Sequence, residues 1–159
     1  MANRNRPVNA ACRAYRSSVI HWATMEAADI LQLLKKNDLF LGVPEPGLAA
    51  LIEAGEVASL STGDQLMEKG KTGQSIWVLL EGELEVLVDG DVVNNISSPG
   101  DLIGEISAVS MTPATATVRA LGPVVALEIA PKSLHGVMEN YADIAKSMVL
   151  SMTKYLGRR

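Results

Sequence analysis

The sequence is short of the residues from which many sites are built. Cys12 is its one cysteine, so the chain cannot close a disulfide on itself, and a reducing cytoplasm is the expected compartment. The same cysteine has no activating neighbour in sequence, which leaves nucleophilic catalysis without support. Only two histidines occur, His21 and His135, both in segments with helical patterning and neither at a ligand-like spacing. A metal centre needs clustered His and carboxylate ligands, so none is expected, and a core or surface role suits both histidines. No apolar stretch approaches the roughly 18 residues of a membrane span, and the Arg-bearing N-terminus lacks the apolar centre of a secretory signal. There is no internal repeat, no low-complexity segment and no catalytic constellation, and no enzymatic activity is expected.

Positive charge is also scarce outside the N-terminus. The formal net charge is −4, but Met1 to Met25 holds four arginines and no acid. The remainder therefore carries ten of the 14 basic residues against all 18 acids, a net of −8. Duplex binding depends on neutralising phosphates, so such an acidic body is not expected to bind nucleic acid.

What is present fits one soluble domain. A chain of 159 residues with 48% hydrophobic and 20% charged residues can bury a sizeable core and keeps room for short appendages. Residues 1–23 read as a basic tail followed by an amphipathic helix on Tyr15, Val19 and Trp22; a solvated face explains this charge run as simply as partner or membrane contact. From Thr24, a candidate N-cap, Glu26 and Asp29 favour a first helical turn, Ile30, Leu33 and Leu34 form a stripe, and Lys35-Lys36 marks the end. Asn37 to Val43 is a connector in which Leu39, Phe40 and Leu41 call for burial. Pro44-Glu45-Pro46 opens a second helix, with Leu48, Leu51 and Ile52 on one face up to Gly55.

Beyond Gly55 the period changes. Short strands are predicted at 57–60, 65–67, 75–80, 83–88, 92–96, 115–121 and 124–129, separated by glycine turns. Strands so short and evenly spaced point to an antiparallel roll rather than a βαβ sheet. From Pro131 the pattern is helical again, over 132–138 and 141–156. In the second of these helices Ile144, Met148, Met152 and Tyr155 form a stripe that packs on the roll, contacts a second copy or closes a pocket. The Lys71-Thr72 pair after Gly70 lacks P-loop spacing and is read as a turn.

The rest of the chain is organised around 99–120. Pro99-Gly100-Asp101 is a turn, Leu102-Ile103 leads to Gly104, and Glu105 to Ser110 allows about two helical turns before Thr112-Pro113. The first N–H groups of such a helix have no internal partner and carry partial positive charge, which suits a phosphate, while Glu105 can accept from a sugar hydroxyl. A carboxylate favoured by the helix dipole is the simpler role for Glu105. Ala114-Thr115-Ala116-Thr117-Val118 reads as a strand returning beside the helix. Thr115 is a hydroxyl donor to a phosphate or a base, or only a strand residue.

Gly104-Glu105-Ile106-Ser107, followed by Pro113-Ala114-Thr115-Ala116-Thr117-Val118, resembles the phosphate-binding cassette of the cyclic nucleotide-binding domain family, to which catabolite activator protein and the regulatory domains of cyclic-nucleotide-dependent kinases and channels belong. The resemblance extends from Leu34 to Leu156. It implies an α+β fold, an antiparallel jelly-roll-like β-roll over 56–130, with a helical subdomain over 24–55 before it and C-terminal helices over 131–159 after it. It implies no cofactor, and cAMP or cGMP as ligand, held by Ile103, Gly104, Glu105, Ile106, Ser107, Ala114, Thr115 and Ala116. It also implies a C-terminal helix that moves over the base to signal to an effector protein, and a homodimer through that helix. No helix-turn-helix follows, so a complete transcription factor of the catabolite activator type is not expected.

One position departs from the family pattern. The arginine that pairs with the cyclic phosphate is replaced by Ala114. Loss of such a charged partner costs roughly 2–5 kcal/mol of binding, and Arg119, five residues on, lies roughly 16 Å away along a strand. The reading is therefore a cyclic nucleotide sensor of weakened affinity. The alternatives are a degenerate domain acting as an interaction or assembly module, and a pocket for a cyclic dinucleotide.

Overall fold

The computed structural model describes the backbone of residues 25–156 and the side chains of residues 25–153. The basic tail, Cys12, His21, the Trp22 stripe and the Thr24 cap lie outside the described residues. The first helix, α1 (Ala27–Lys35), takes Glu26 as its N-cap residue instead, and the Asp29 carboxylate accepts from the Glu26 backbone N–H at 3.1 Å. Ile30 and Leu34 are buried on its inner face. A 3-10 turn (Asp38–Phe40) follows, begun by Asn37, whose side chain accepts from the Leu39 N–H. Phe40 is buried but Leu41, expected inside, is 70% exposed. Leu41 is the C-cap of this turn, in extended backbone, where the chain leaves the turn. Helix α2 (Glu45–Glu53) starts with proline at its first turn and buries Gly47, Leu48, Leu51 and Ile52.

Among the described residues, eight strands make two antiparallel four-stranded sheets: β1 (Gly55–Leu60), β2 (Gln65–Met67), β3 (Ile76–Glu81), β4 (Leu84–Val88), β5 (Asp91–Ile96), β6 (Leu102–Ile103), β7 (Thr117–Ala120) and β8 (Val124–Ile129). Their order is β1-β8-β3-β6 in one sheet and β2-β7-β4-β5 in the other, which is the expected rolled α+β architecture. Helix α3 (Glu105–Ser110) lies between β6 and β7, and α4 (Pro131–Asn140) and α5 (Ala142–Leu156) close the chain.

Side-chain alternation explains how these layers stack. On β3, Ile76, Val78 and Leu80 face the helices while Trp77 and Leu79 face the interior of the roll. On β8, Val125, Leu127 and Ile129 face the helices and Val124 and Ala126 the interior. A strand buried on both faces needs an unbroken apolar run, which IWVLL and VVAL supply. The Trp77 indole N–H, deep in the roll, donates to the Leu66 carbonyl at 3.0 Å and so ties β3 to β2 in the opposite sheet. Helix α5 packs on the 3-10 turn, α2, α3 and α4, with Ile144 and Met148 fully buried.

The turn before β6 is held from outside the roll. The Gly100 carbonyl accepts from Asn37 Nδ2 at 3.0 Å, and its N–H donates to Leu79 O at 2.7 Å. Gly100 has φ +97, and a Cβ added there would stand 2.5 Å from the Leu33 carbonyl oxygen. Next to it, burial raises the Asp101 carboxyl above the usual carboxylate range.

Two stability measurements follow. Gly100→Ala should lower unfolding free energy by about 2–4 kcal/mol in urea titrations, about 1–2 of it from the left-handed φ and the rest from displacing α1. Gly63→Ala, which also has positive φ but open space around it, should cost only the first part. At Asp101 the ionised form is disfavoured in the folded state, so its contribution is fully present below the unfolded-state pKa and is lost as pH rises through the folded one. Asp101→Asn should therefore be more stable than the unmodified chain at neutral pH, with the gap closing in acid.

Candidate nucleotide site

The site begins with the backbone at Gly104. This residue is the N-cap of α3 in the left-handed region, φ +84, and an added Cβ would lie 3.2 Å from the Ser75 carbonyl oxygen. Glycine is needed here for the turn from β6 into α3 and for close approach to the roll. No side chain caps α3, whose first turn carries the buried Glu105. The helix ends after Ser110, where Met111 takes a left-handed conformation, and the Ser107 hydroxyl donates to the Thr112 carbonyl at 2.6 Å.

After Pro113 the chain is held by the turn at 70–71. The Ala114 N–H donates to Lys71 O at 3.0 Å, and the Ala114 carbonyl accepts from Gly70 N at 2.8 Å. Gly70 and Lys71, in the stretch read as a turn rather than a P-loop, thus brace this segment from outside. Thr115 and Ala116 form a bend, and β7 begins only at Thr117, two residues later than the alternation suggested. Pairing with the 70–71 turn takes the backbone groups of Ala114, and the ladder to β4 starts where Thr117 meets Leu87.

All eight expected residues, Ile103 to Ser107 and Ala114 to Ala116, line one cavity of about 540 Å³. Glu105, 6% exposed, lies deep, whereas Thr115 is exposed at the lip. The opposite wall comes from residues that the sequence did not assign to the site: Met67 of β2, Val86 of β4, Val118 of β7, and Val93, Asn94 and Ile96 of β5. Val86 and Val118 alternate inward on predicted strands and were accessible to period-two patterning. Val93 and Asn94 were not, because a bulge opposite Val86 and Leu87 leaves Val93 as an extra residue in β5, so that both neighbours line the cavity.

The cavity also takes Met152 from α5. Immediately before it on the helix, the buried Ser151 hydroxyl donates to Glu105 Oε2 at 2.7 Å. The methionine stripe therefore divides its roles: Ile144 and Met148 pack in the core while Met152 meets the cavity. The Tyr155 side chain lies outside the described residues. His135 faces the same region from α4, its Nε2 within 3.0 Å of the Ala108 carbonyl of α3. Among the described residues no cluster of His, Cys, Asp and Glu is placed to hold a metal, and no helix is long and apolar enough to cross a membrane.

Arg119 is not part of the lining. It sits opposite Glu85 in the β4–β7 register and forms an ion pair with that carboxylate, away from Ala114.

Comparison with known proteins agrees with the fold. Among curated relatives, the Pycsar effector protein XpPycTIR of Xanthomonas perforans is 24% identical over 110 residues, which cover 69% of this chain and 36% of that protein. The cGMP-dependent protein kinase of Eimeria tenella is 36% identical over 94 residues, 59% of this chain but 9% of the kinase. The chain thus spans only a minor part of the length of these relatives. Among solved structures, the N-terminal domain of a transcriptional regulator from Streptomyces coelicolor A3(2) superimposes with a TM-score of 0.66 at 26% identity, over 79% of this chain and 93% of that one. The cyclic nucleotide-binding domain family model matches residues 57–141, from β1 to the end of α4, and with more than half of its length so matched the chain belongs to that family.

Proposed function

We propose that the chain is a regulatory module that binds cAMP or cGMP in the 540 Å³ cavity and reports occupancy to an effector protein through α5. The observation that carries this reading is the convergence of both halves of the cassette and Met152 of α5 on one cavity. In it, the Glu105 carboxylate accepts from the ribose 2′-hydroxyl. The N-terminal turn of α3 and the Thr115 hydroxyl meet the cyclic phosphate, and Met67, Val86 and Ile96 pack on the base. Relatives named as a cGMP-dependent kinase and as Pycsar effectors support a regulatory role, in which the domain governs another protein or domain.

Signal transfer follows from the shared carboxylate. A ribose hydroxyl that bonds Glu105 competes with Ser151 Oγ for the same group, so ligand affinity and the position of α5 are thermodynamically linked. Val149 and Leu150, half exposed on the same helix, form the apolar face on which an effector or a second copy would sense that change. Ala114 supplies no charge, so binding is weaker than with an arginine in its place.

Isothermal titration with cAMP and cGMP tests the ligand directly; saturable binding is expected, and silence toward both overturns the reading. Ser151→Ala frees the carboxylate from one hydrogen bond, worth about 0.5–1.5 kcal/mol, and should tighten binding roughly two- to twelve-fold. Saturating ligand should also lower amide-exchange protection over residues 148–153. Unchanged protection would remove α5 as the carrier of the signal.

A further inference from the structure

The bulge in β5 gives the cavity a polar group that the cassette does not supply. Neighbours on a regular strand point to opposite faces, but Val93 is the extra residue of the bulge, so Val93 and Asn94 both line the cavity. The wall facing the cassette is otherwise apolar, made of Met67, Val86, Val93, Ile96 and Val118. Among the described residues, Asn94 is the single polar side chain on that wall.

The Asn94 amide is oriented by its neighbour. Its Oδ1 accepts from the Asn95 backbone N–H at 2.8 Å, and of the two amide atoms only the oxygen can meet an N–H donor. Nδ2 has no acceptor among the described residues. Asn95 differs, because its own Nδ2 donates to Glu83 Oε2 at 3.0 Å and neither residue lines the cavity. Asn94 therefore offers a ligand two N–H donors, while its acceptor is already engaged.

Purines differ in what they set against a donor. On the N7 side, guanine carries two acceptors, N7 and O6, whereas adenine carries the N7 acceptor and a 6-amino donor. With sugar and phosphate on the cassette, the base reaches the facing wall. A guanine there accepts from Asn94 Nδ2 through its O6 and N7 edge, while an adenine sets its amino group against another donor and leaves N–H groups unpaired.

We infer that Asn94 is a specificity-determining residue of the cavity, which selects cyclic nucleotides of 6-oxopurines, cGMP among them, over cAMP by donation from Nδ2 to the base. This deepens the proposed cyclic nucleotide reading and rests on it. The selection involves the base alone and is independent of Ala114.

Isothermal titration of the full chain with cGMP, cAMP and cIMP tests the assignment, since the hypoxanthine of cIMP has O6 and N7 but no 2-amino group. Both cGMP and cIMP should bind about two- to twelve-fold more tightly than cAMP, the range expected for one hydrogen bond. Asn94→Ala should bring all three ligands within about two-fold of one another, and Asn94→Asp, which puts an acceptor where the donor stands, should favour cAMP. Asn94 is exposed on an edge strand, so both variants should keep the thermal unfolding profile of the unmodified chain. A preference for cGMP below about two-fold, or one that survives either substitution, overturns the inference. So does cIMP binding as weakly as cAMP while cGMP is preferred, because discrimination then lies at the 2-amino group. Each of these outcomes leaves cyclic nucleotide binding intact, whereas silence toward all three ligands overturns both readings.

Discussion

Burial of β3 and β8 on both faces is the constraint from which the rest of the structure follows. Each strand sends alternate residues into the helical layer and into the roll, so neither cluster of apolar residues can form without the other. The helices are thereby part of one core with the roll, and α5 is brought against α3 at the point where the cavity opens. A fully buried strand pair also excludes register slips, since a shift by one residue would exchange Trp77 and Leu79 with Val78 and Leu80.

The cavity lies in the other half of the molecule, where packing is less complete. Its walls are the β2-β7-β4-β5 sheet, and β5 is an exposed edge strand with a bulge. The sheet buried on both faces carries the helices, and the more open one lines the cavity. Between them stands α3, six residues long, begun by a left-handed glycine and ended by a left-handed methionine. An element so short has little intrinsic stability, and its position is set by contacts on either side: Ser75 and Met67 beneath Gly104, Ser151 on Glu105, and His135 at Ala108.

The composition of the cavity fits this division. One buried carboxylate is anchored by a neutral hydroxyl, and the cations of the same sheet are paired at its periphery.

Much of this was legible in the sequence. Strand and helix positions followed from period and turn chemistry, because glycine turns between short apolar runs leave few alternatives. The turn into α3 was legible because backbone geometry demands glycine at Gly104, and local geometry is what a short segment records. Elsewhere the local signal misled. Leu41 reads as a core residue but faces solvent where the chain leaves the 3-10 turn, and Thr115 has strand propensity but lies in a bend because Ala114 pairs with the 70–71 turn. The Ser151 contact with Glu105 joins residues 46 positions apart, and the lining of the cavity runs from Met67 to Met152. Their meeting is decided by how two sheets and a terminal helix close on one another, and no periodicity within a single segment carries that information.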